Sequence, residues 1–443
     1  MAGGTFVPGT GGDCTIEGAA PGDLPTVKLT DGATCHLTGG QMRVGDTGNR
    51  AGALEIRSGS SLATTSGEIG SAAGSQGEVT VDGRVDGTPS TWDISVDLCV
   101  GRFGTGTLEV TNGGSLGNRK GYIGLEPGPQ STVTVDGSAV DGTPSTWNNS
   151  AELYVGYRGT GTLDIADGGS VANTYGHIGH LPGSQGTVRV DGAGSTWNNS
   201  GDLVVAMLGT GRLDISDGGT VTNTEGFMAY DLDSQGMVKV DGAGSTWNNS
   251  EELYVGFRGT GTLDIADGGS VSSSYAAIAY EFFSHGSVTV DGAGSTWTNS
   301  GDLLVGGSPT AAGGPGVLTV QTGGTVDAGA MLKLSTTGTV NLNGGTVRAA
   351  EFDVEAGTFN FNAGTLNYAE DLTTMPADLL SQLLGPARTV SFAKHVRVDG
   401  TTTLQSILTL DGGIFSTGSL VNPGFLDFKR GTFNLHFLKT ASG

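Results

Sequence analysis

The strongest constraint in this sequence is a word repeated every 50 residues. The stretch from Thr187 to Gly236 opens TVRVDGAGSTWNNS and continues through RLDISDGGTVTNTEG; residues 237–286 repeat it almost letter for letter, and Trp197, Trp247 and Trp297 stand at strict 50-residue intervals. A self-similar period of this length marks units that cannot bury an apolar face alone and must stack on their neighbours. Inside each unit apolar residues alternate, as in Val188/Val190, Leu203/Val205 and Leu213/Ile215, the signature of short half-buried strands. Glycine makes up 81 of 443 residues, a bias that signals disorder when aperiodic; here it punctuates the strands.

The 50-residue unit resolves into two 25-residue coils, one with the tryptophan and one plain. Plain coils run 53–77, 107–131, 162–186, 212–236 and 262–286; tryptophan coils run 78–106, 132–161, 187–211, 237–261 and 287–316, with 26–52 resembling the latter. VDGTP at Val85–Pro89 and Val140–Pro144, and SPTAAGGPG at Ser308–Gly316, lengthen corners while leaving the strands in register. Three strands per coil, such as 187–190, 195–198 and 203–205, predict an all-β chain, a right-handed, three-sided parallel β-helix of about 25 residues per coil.

Five segments follow. Residues 1–25 are an N-terminal cap or arm, 26–316 the alternating solenoid and 317–370 narrower coils carrying VNLNGGTV and FNFNAGTL. Residues 371–388 are a helical insertion, with a short helix near 374–385 marked by Pro376 and by Leu379, Leu380, Leu383 and Leu384 at helical spacing. Residues 389–443 are a strand-rich end without an obvious polar cap, which reads as a truncated chain or one that meets another subunit.

The tryptophans admit two registers. Apolar steps of 7 and 6 (Val190, Trp197, Leu203) and of 6 and 7 (Ile165, Val171, Ile178) both total 13, so the coils can close with Trp over Val inside if one turn residue moves to the next corner. The other register turns Thr196 inward and exposes a stripe of tryptophan for sugar or protein. The buried register is preferred. A column of outward residues supports the stack: Lys28, Glu55, Thr80, Glu109, Thr134, Asp164, Arg189, Asp214, Lys239, Asp264 and Thr289 interleave opposite charges or space them with threonine.

A formal charge of −23 and a pI near 4.4 exclude a nucleic-acid partner, which needs a basic face. No apolar run reaches the roughly 20 residues of a membrane helix, and Met1–Ala20 lacks the pattern of a signal peptide, so a leader would have been removed before this numbering begins. Of the three cysteines, Cys14 and Cys35 are candidates for a bridge at the N-terminal end, leaving Cys99 over.

The residues point to no catalytic site, cofactor or metal. Asp164, Asp214 and Asp264 repeat at one position between Arg189 and Lys239, as a structural row does and a unique acid/base pair does not. Asp167, Asp217 and Asp267 sit in DGG turns that Asp favours by bonding its own backbone. GTGTLD at Gly159–Asp164 places Asp one residue later than the calcium nonapeptide GGxGxD, on another strand face, so repeated calcium sites are not expected. His177, His180, His285 and His395 do not recur at one position and read as solvated side chains. The Asn pairs 148/149, 198/199 and 248/249 read as rows bonded along the stack. Tyr154, Arg158, Tyr254 and Arg258, beside that corner, are the candidate contacts for a glycan or protein partner.

GTGTLDIADGGSV, DGAGSTWNNS and VNLNGGTVRA resemble the repeats of bacterial autotransporter passengers and related exported β-helix proteins over about residues 40–365. The resemblance implies an extracellular or cell-surface bacterial protein; the membrane barrel of an autotransporter is not recognisable here, and passengers of this fold include adhesins, proteases and esterases. The function expected is that of a non-enzymatic structural or adhesive surface solenoid, partnered by itself end to end or laterally, or by surface glycans or proteins. The rival is a polysaccharide-binding or polysaccharide-degrading β-helix.

Overall fold

The computed structural model describes residues 7–8, 12–37, 39–371, 382–404, 407–421 and 426–438. The chain forms two units, 1–238 with 244–248 and 239–243 with 249–443, each a parallel β-helix.

In the first unit, from Ala51 onward, every coil has a long first strand, a four-residue second strand and a third strand of three or four residues. One plain coil is Thr160–Ala166, Ser170–Asn173 and Gly176–Ile178; the tryptophan coil after it is Gln185–Asp191, Thr196–Asn199 and Leu203–Val205. Each strand pairs in parallel with its counterpart one coil on: Leu163 with Val188 and Ile165 with Val190, Val171 with Trp197, Ile178 with Val205. Alternation along each strand puts these side chains inside, at 0% exposure. Cys14–Ile16 also belongs to the stack, lying in parallel on Gln41–Val44.

Trp92, Trp147, Trp197, Trp247 and Trp297 are all fully buried, so no tryptophan stripe faces solvent. At roughly 25 cal/mol per Å² and 150–250 Å² per aromatic side chain, each contributes at most about 4–6 kcal/mol of burial. The preceding serine caps the corner: Ser195 Oγ accepts from Gly168 N at 3.1 Å and donates to the Asp191 carbonyl at 2.5 Å. STW is thus a corner cap, an outward residue and a core residue in sequence.

The corner exchange differs from the expected one. Tryptophan coils are longer at the first corner (192–195 against 167–169) and at the second (200–202 against 174–175), and shorter at the third (206–209 against 179–184). Consequently Leu203 pairs with Gly176, and Val205, rather than Leu203, stands over Ile178. The indole of Trp197 reaches the third sheet, where Gly176 leaves room for it.

The DGG turns carry Asp167, Asp217 and Asp267 at φ of 47°, 48° and 50°, followed by Gly168, Gly218 and Gly268 at 90°, 92° and 96°. Two successive left-handed residues reverse the chain tightly, and Asp is among the few side chains that tolerate the first position. The VDGTP insertions are corner hairpins: Arg84–Val85 pairs antiparallel with Thr88–Pro89, and Ser138 bridges Pro144.

Cys14 and Cys35 are not bridged. Cys14 lies in the third sheet against Met42 and Cys35 in the second against Leu62, and both are free thiols. Burial, with Cys35 nearby, pushes the Cys14 thiol up to about 11.

In the second unit, Thr260–Ala266, Ser270–Ser273 and Tyr275–Ile278 repeat the plain coil, and His285–Asp291, Thr296–Asn299 and Leu303–Val305 the tryptophan coil. Beyond Gly316 the corners shrink until strands fuse, as in Thr325–Leu334 and the continuous Gly338–Val354, with register shifts where the chain bends. Thr339 pairs with Thr358, a step of 19 residues between rungs. Leu408–Val421 and Leu426–Leu438 add further parallel rungs. The helix expected near 374–385 lies largely outside the described residues; Gln382–Leu384 form one helical turn, with Leu383 and Leu384 buried. Among the described residues no helix is long and apolar enough to cross a membrane.

Candidate functional site

The outer face of the third sheet in the first unit carries two columns of rings. Each third strand presents one outward residue at its centre and another three positions later, at the corner. Tyr122, Tyr154 and His177 occupy the first column in direct register, and Tyr157 and His180 the second. Tyr154 stacks on Tyr122 at 5.1 Å and 6° and on His177 at 4.8 Å and 9°; Tyr157 stacks on His180 at 5.1 Å and 14°. These separations match the roughly 4.8 Å rise between coils, so backbone register imposes the stacking. Across the columns the rings meet edge to face, Tyr154 with Tyr157 at 5.1 Å and His177 with His180 at 4.9 Å.

Whereas His285 is exposed, His177 and His180 are therefore members of a half-buried aromatic wall and not the solvated side chains expected. Their Nδ1 atoms are buried without a hydrogen-bond partner. Burial, reinforced by His180, holds the His177 imidazole down at about 4, and burial also lowers His180. The Tyr154 hydroxyl is pushed up to about 12 by burial and the neighbouring Glu152. Glu152 is neutralised by Lys120 Nζ at 3.1 Å, and Arg158 reaches Glu126 at 3.2 Å.

In the second unit Tyr254 meets Phe257 and Tyr280 edge to face at 5.3 and 5.1 Å, with Tyr275 tilted at 6.2 Å. Phe257 stacks on Tyr280 at 5.4 Å, and the Arg258 guanidinium lies 5.7 Å from the Phe257 ring centre. Shortly after Tyr280, Phe282 and Phe283 stand 68% and 72% exposed. The structure thus gathers Tyr154 with Tyr157 and the histidines, and Tyr254 with Arg258, Phe257 and Tyr280. The sequence reading missed Tyr157, Phe257, Tyr280 and the histidines because the step between adjacent coils is unequal, 23 residues from Tyr154 to His177, so neighbours in the column do not share the 25-residue spacing.

The Asn pairs separate. Asn149 and Asn199 are buried, whereas Asn148 and Asn198 face out. Asn173 Nδ2 donates to Asn199 Oδ1 at 2.6 Å, and Asn199 Nδ2 to the Thr222 carbonyl at 3.2 Å. The same buried row satisfies the indoles: Trp147, Trp197 and Trp247 Nε1 donate to Asn118, Asn173 and Asn223 Oδ1 at 2.6, 2.7 and 2.8 Å. On the first sheet the Asp164 carboxylate accepts from Arg189 at 3.0 Å and Asp214 from Arg212 at 2.6 Å. These carboxylates are held in surface ion pairs.

No family model matches the chain. The uncharacterized lipoprotein YdeK of Escherichia coli (strain K12) is 35% identical over 108 residues, which cover 22% of this chain and 8% of that protein. The crystal structure of a TibC-catalyzed, hyper-glycosylated TibA fragment shares 17% identity at a TM-score of 0.38, covering 76% of this chain and 91% of that one.

Proposed function

We propose that this chain is a non-enzymatic surface element: an extracellular bacterial solenoid whose outer faces serve as structural or adhesive contacts, toward copies of itself or toward cell-surface glycans and proteins. The observation that carries the reading is columnar identity. Tyr122, Tyr154 and His177 stand at one register over three successive coils of the third sheet, and the outward residues of the other sheets also line up coil over coil. A surface of this kind repeats one weak contact many times, so avidity comes from number. The carboxylates best placed for chemistry by spacing, Asp164 and Asp214, are bound to arginines, which favours a scaffold over a hydrolase. The short likeness to a protein named as a lipoprotein, and the resemblance of the repeats to exported passengers, support a place outside the cytoplasm.

Immunogold labelling of intact source cells, with adhesion assays and negative-stain micrographs of the purified chain, tests this reading. Label on the cell exterior with adherence or ordered association is expected. An intracellular, monomeric, non-adherent protein, or one that releases reducing sugar from acidic glycans, would overturn it.

A further inference from the structure

The second sheet of the first unit carries a trough, apart from the aromatic columns, whose lining mixes polar side chains with apolar surface. It consists of two adjoining depressions of 570 and 580 Å³ that share Asn148 and Ser150, so they form one channel from the coil of His36 to that of Thr222. Its floor is made by the outward residue at the centre of each second strand. Plain coils place small residues there, Gly117 and Ala172, and tryptophan coils place Asp93, Asn148 and Asn198, all in direct parallel register. The floor therefore alternates low and high, with a polar side chain every second coil, roughly 10 Å apart. Ser150 and Ser200 stand exposed along one side.

Asparagine is unfavourable at an exposed strand centre, and the core explains only its buried neighbours Asn149 and Asn199. On the outside, Asn198 Oδ1 accepts from Thr222 Oγ1 of the next coil at 3.1 Å, and Asn148 stands exposed two coils before Asn198. We infer that this trough binds an extended, neutral polysaccharide laid along the stacking direction, with sugar hydroxyls bonded by the carboxamides of Asn148 and Asn198 and the chain seated over Gly117 and Ala172. A carboxamide offers both donors and acceptors, which suits vicinal hydroxyls. The backbone amides beneath are spent on the parallel ladder, so an extended peptide finds no edge to pair with. The formal charge of −23 and Asp93 in the floor repel a polyanion. The ring faces of Tyr154 are covered by Tyr122 and His177, which removes the stacking platform a sugar would need there.

This inference rests on the surface-element reading and names its partner class. The test is affinity electrophoresis of the full chain through native gels containing dextran, β-1,3-glucan, mannan or xyloglucan, with polygalacturonate as the acidic polymer. Retardation by at least one neutral polymer and none by polygalacturonate is expected. Asn148→Ala/Asn198→Ala should weaken it at least tenfold, and Ala172→Trp, which fills the floor, should abolish it with circular dichroism unchanged. If Ala172→Trp misfolds, the asparagine pair decides. The inference is overturned if none of the four neutral polymers retards the protein, if the folded variants migrate like the parent, or if polygalacturonate binds best. Failure here leaves the cell-surface assays standing; retardation by an intracellular protein would instead sink the surface-element reading alone.

Discussion

The indole of Trp197 lies against Gly176 of the preceding coil so closely that a Cβ at Gly176 would stand 2.8 Å from Trp197 Cζ2 and 2.9 Å from Leu203 Cδ1. Gly121 holds the same relation to Trp147, and Gly67 to Trp92. The 50-residue period is the period of this pairing: a coil that supplies a ring follows one that leaves room for it.

Gly176→Ala should destabilise the first unit by about 1–3 kcal/mol through overpacking, and Trp197→Ala by about 3–5 kcal/mol through an unfilled cavity. Urea unfolding followed by circular dichroism measures both. A Gly176→Ala variant as stable as the parent would show that the indole can move aside.

The last repeat breaks the pattern twice. Ala276 replaces the glycine and Ser273 the asparagine, and Trp297 Nε1 is buried without a partner, as is Asn299 Nδ2. Restoring both, Ser273→Asn with Ala276→Gly, should return an acceptor to the indole and raise stability by about 1 kcal/mol. Ser273→Asn alone should gain less, because Ala276 still crowds the third sheet. A thermal-unfolding midpoint raised more in the double variant than in Ser273→Asn alone is the expected result.

The His177 imidazole is held near 4 in the folded chain by burial, with His180 adding to the effect, against an ordinary value of 6.5. A depressed folded pKa means the unfolded chain binds the extra proton first. The stability contributed by neutral His177 is therefore complete above pH 6.5 and is lost as pH falls from 6.5 toward 4. Thermal midpoints should drop across that window. His177→Phe, which keeps the stack on Tyr154, should flatten the drop; an equal slope in that variant would place the titration elsewhere.

Arg189 lies between Asp164 and Asp214 on the first sheet. Arg189→Asp would set three carboxylates in register and should cost about 0.2–1 kcal/mol at low ionic strength. Most of that cost should vanish in 0.5 M salt. A salt-independent loss would point to packing by the arginine stem.

Three strands per coil, inward Leu163 and Ile165, the DGG turns at Asp167 and the interleaved charges of Asp164, Arg189 and Asp214 were all legible, because each rests on spacing within one coil or on a constant step between coils. The candidate contacts were legible only as single residues: Tyr154 and Tyr254 were found, but their partners were not. His177 follows Tyr154 by 23 residues and Tyr122 precedes it by 32, so no period of 25 or 50 aligns them. Cys14 and Cys35, candidates for a bridge by sequence, lie on different sheets as free thiols.

The sequence by itself determined that this chain stacks coils, how long each coil is, and which residues form the inner ladders, since alternation and period are local properties that survive without coordinates. Tertiary structure decided what the outer faces present. Parallel register converts residues at unequal sequence distances into columns about one strand spacing apart. The exchange of corner lengths between coils, seen at 192–195, 200–202 and 206–209, sets which residues those are.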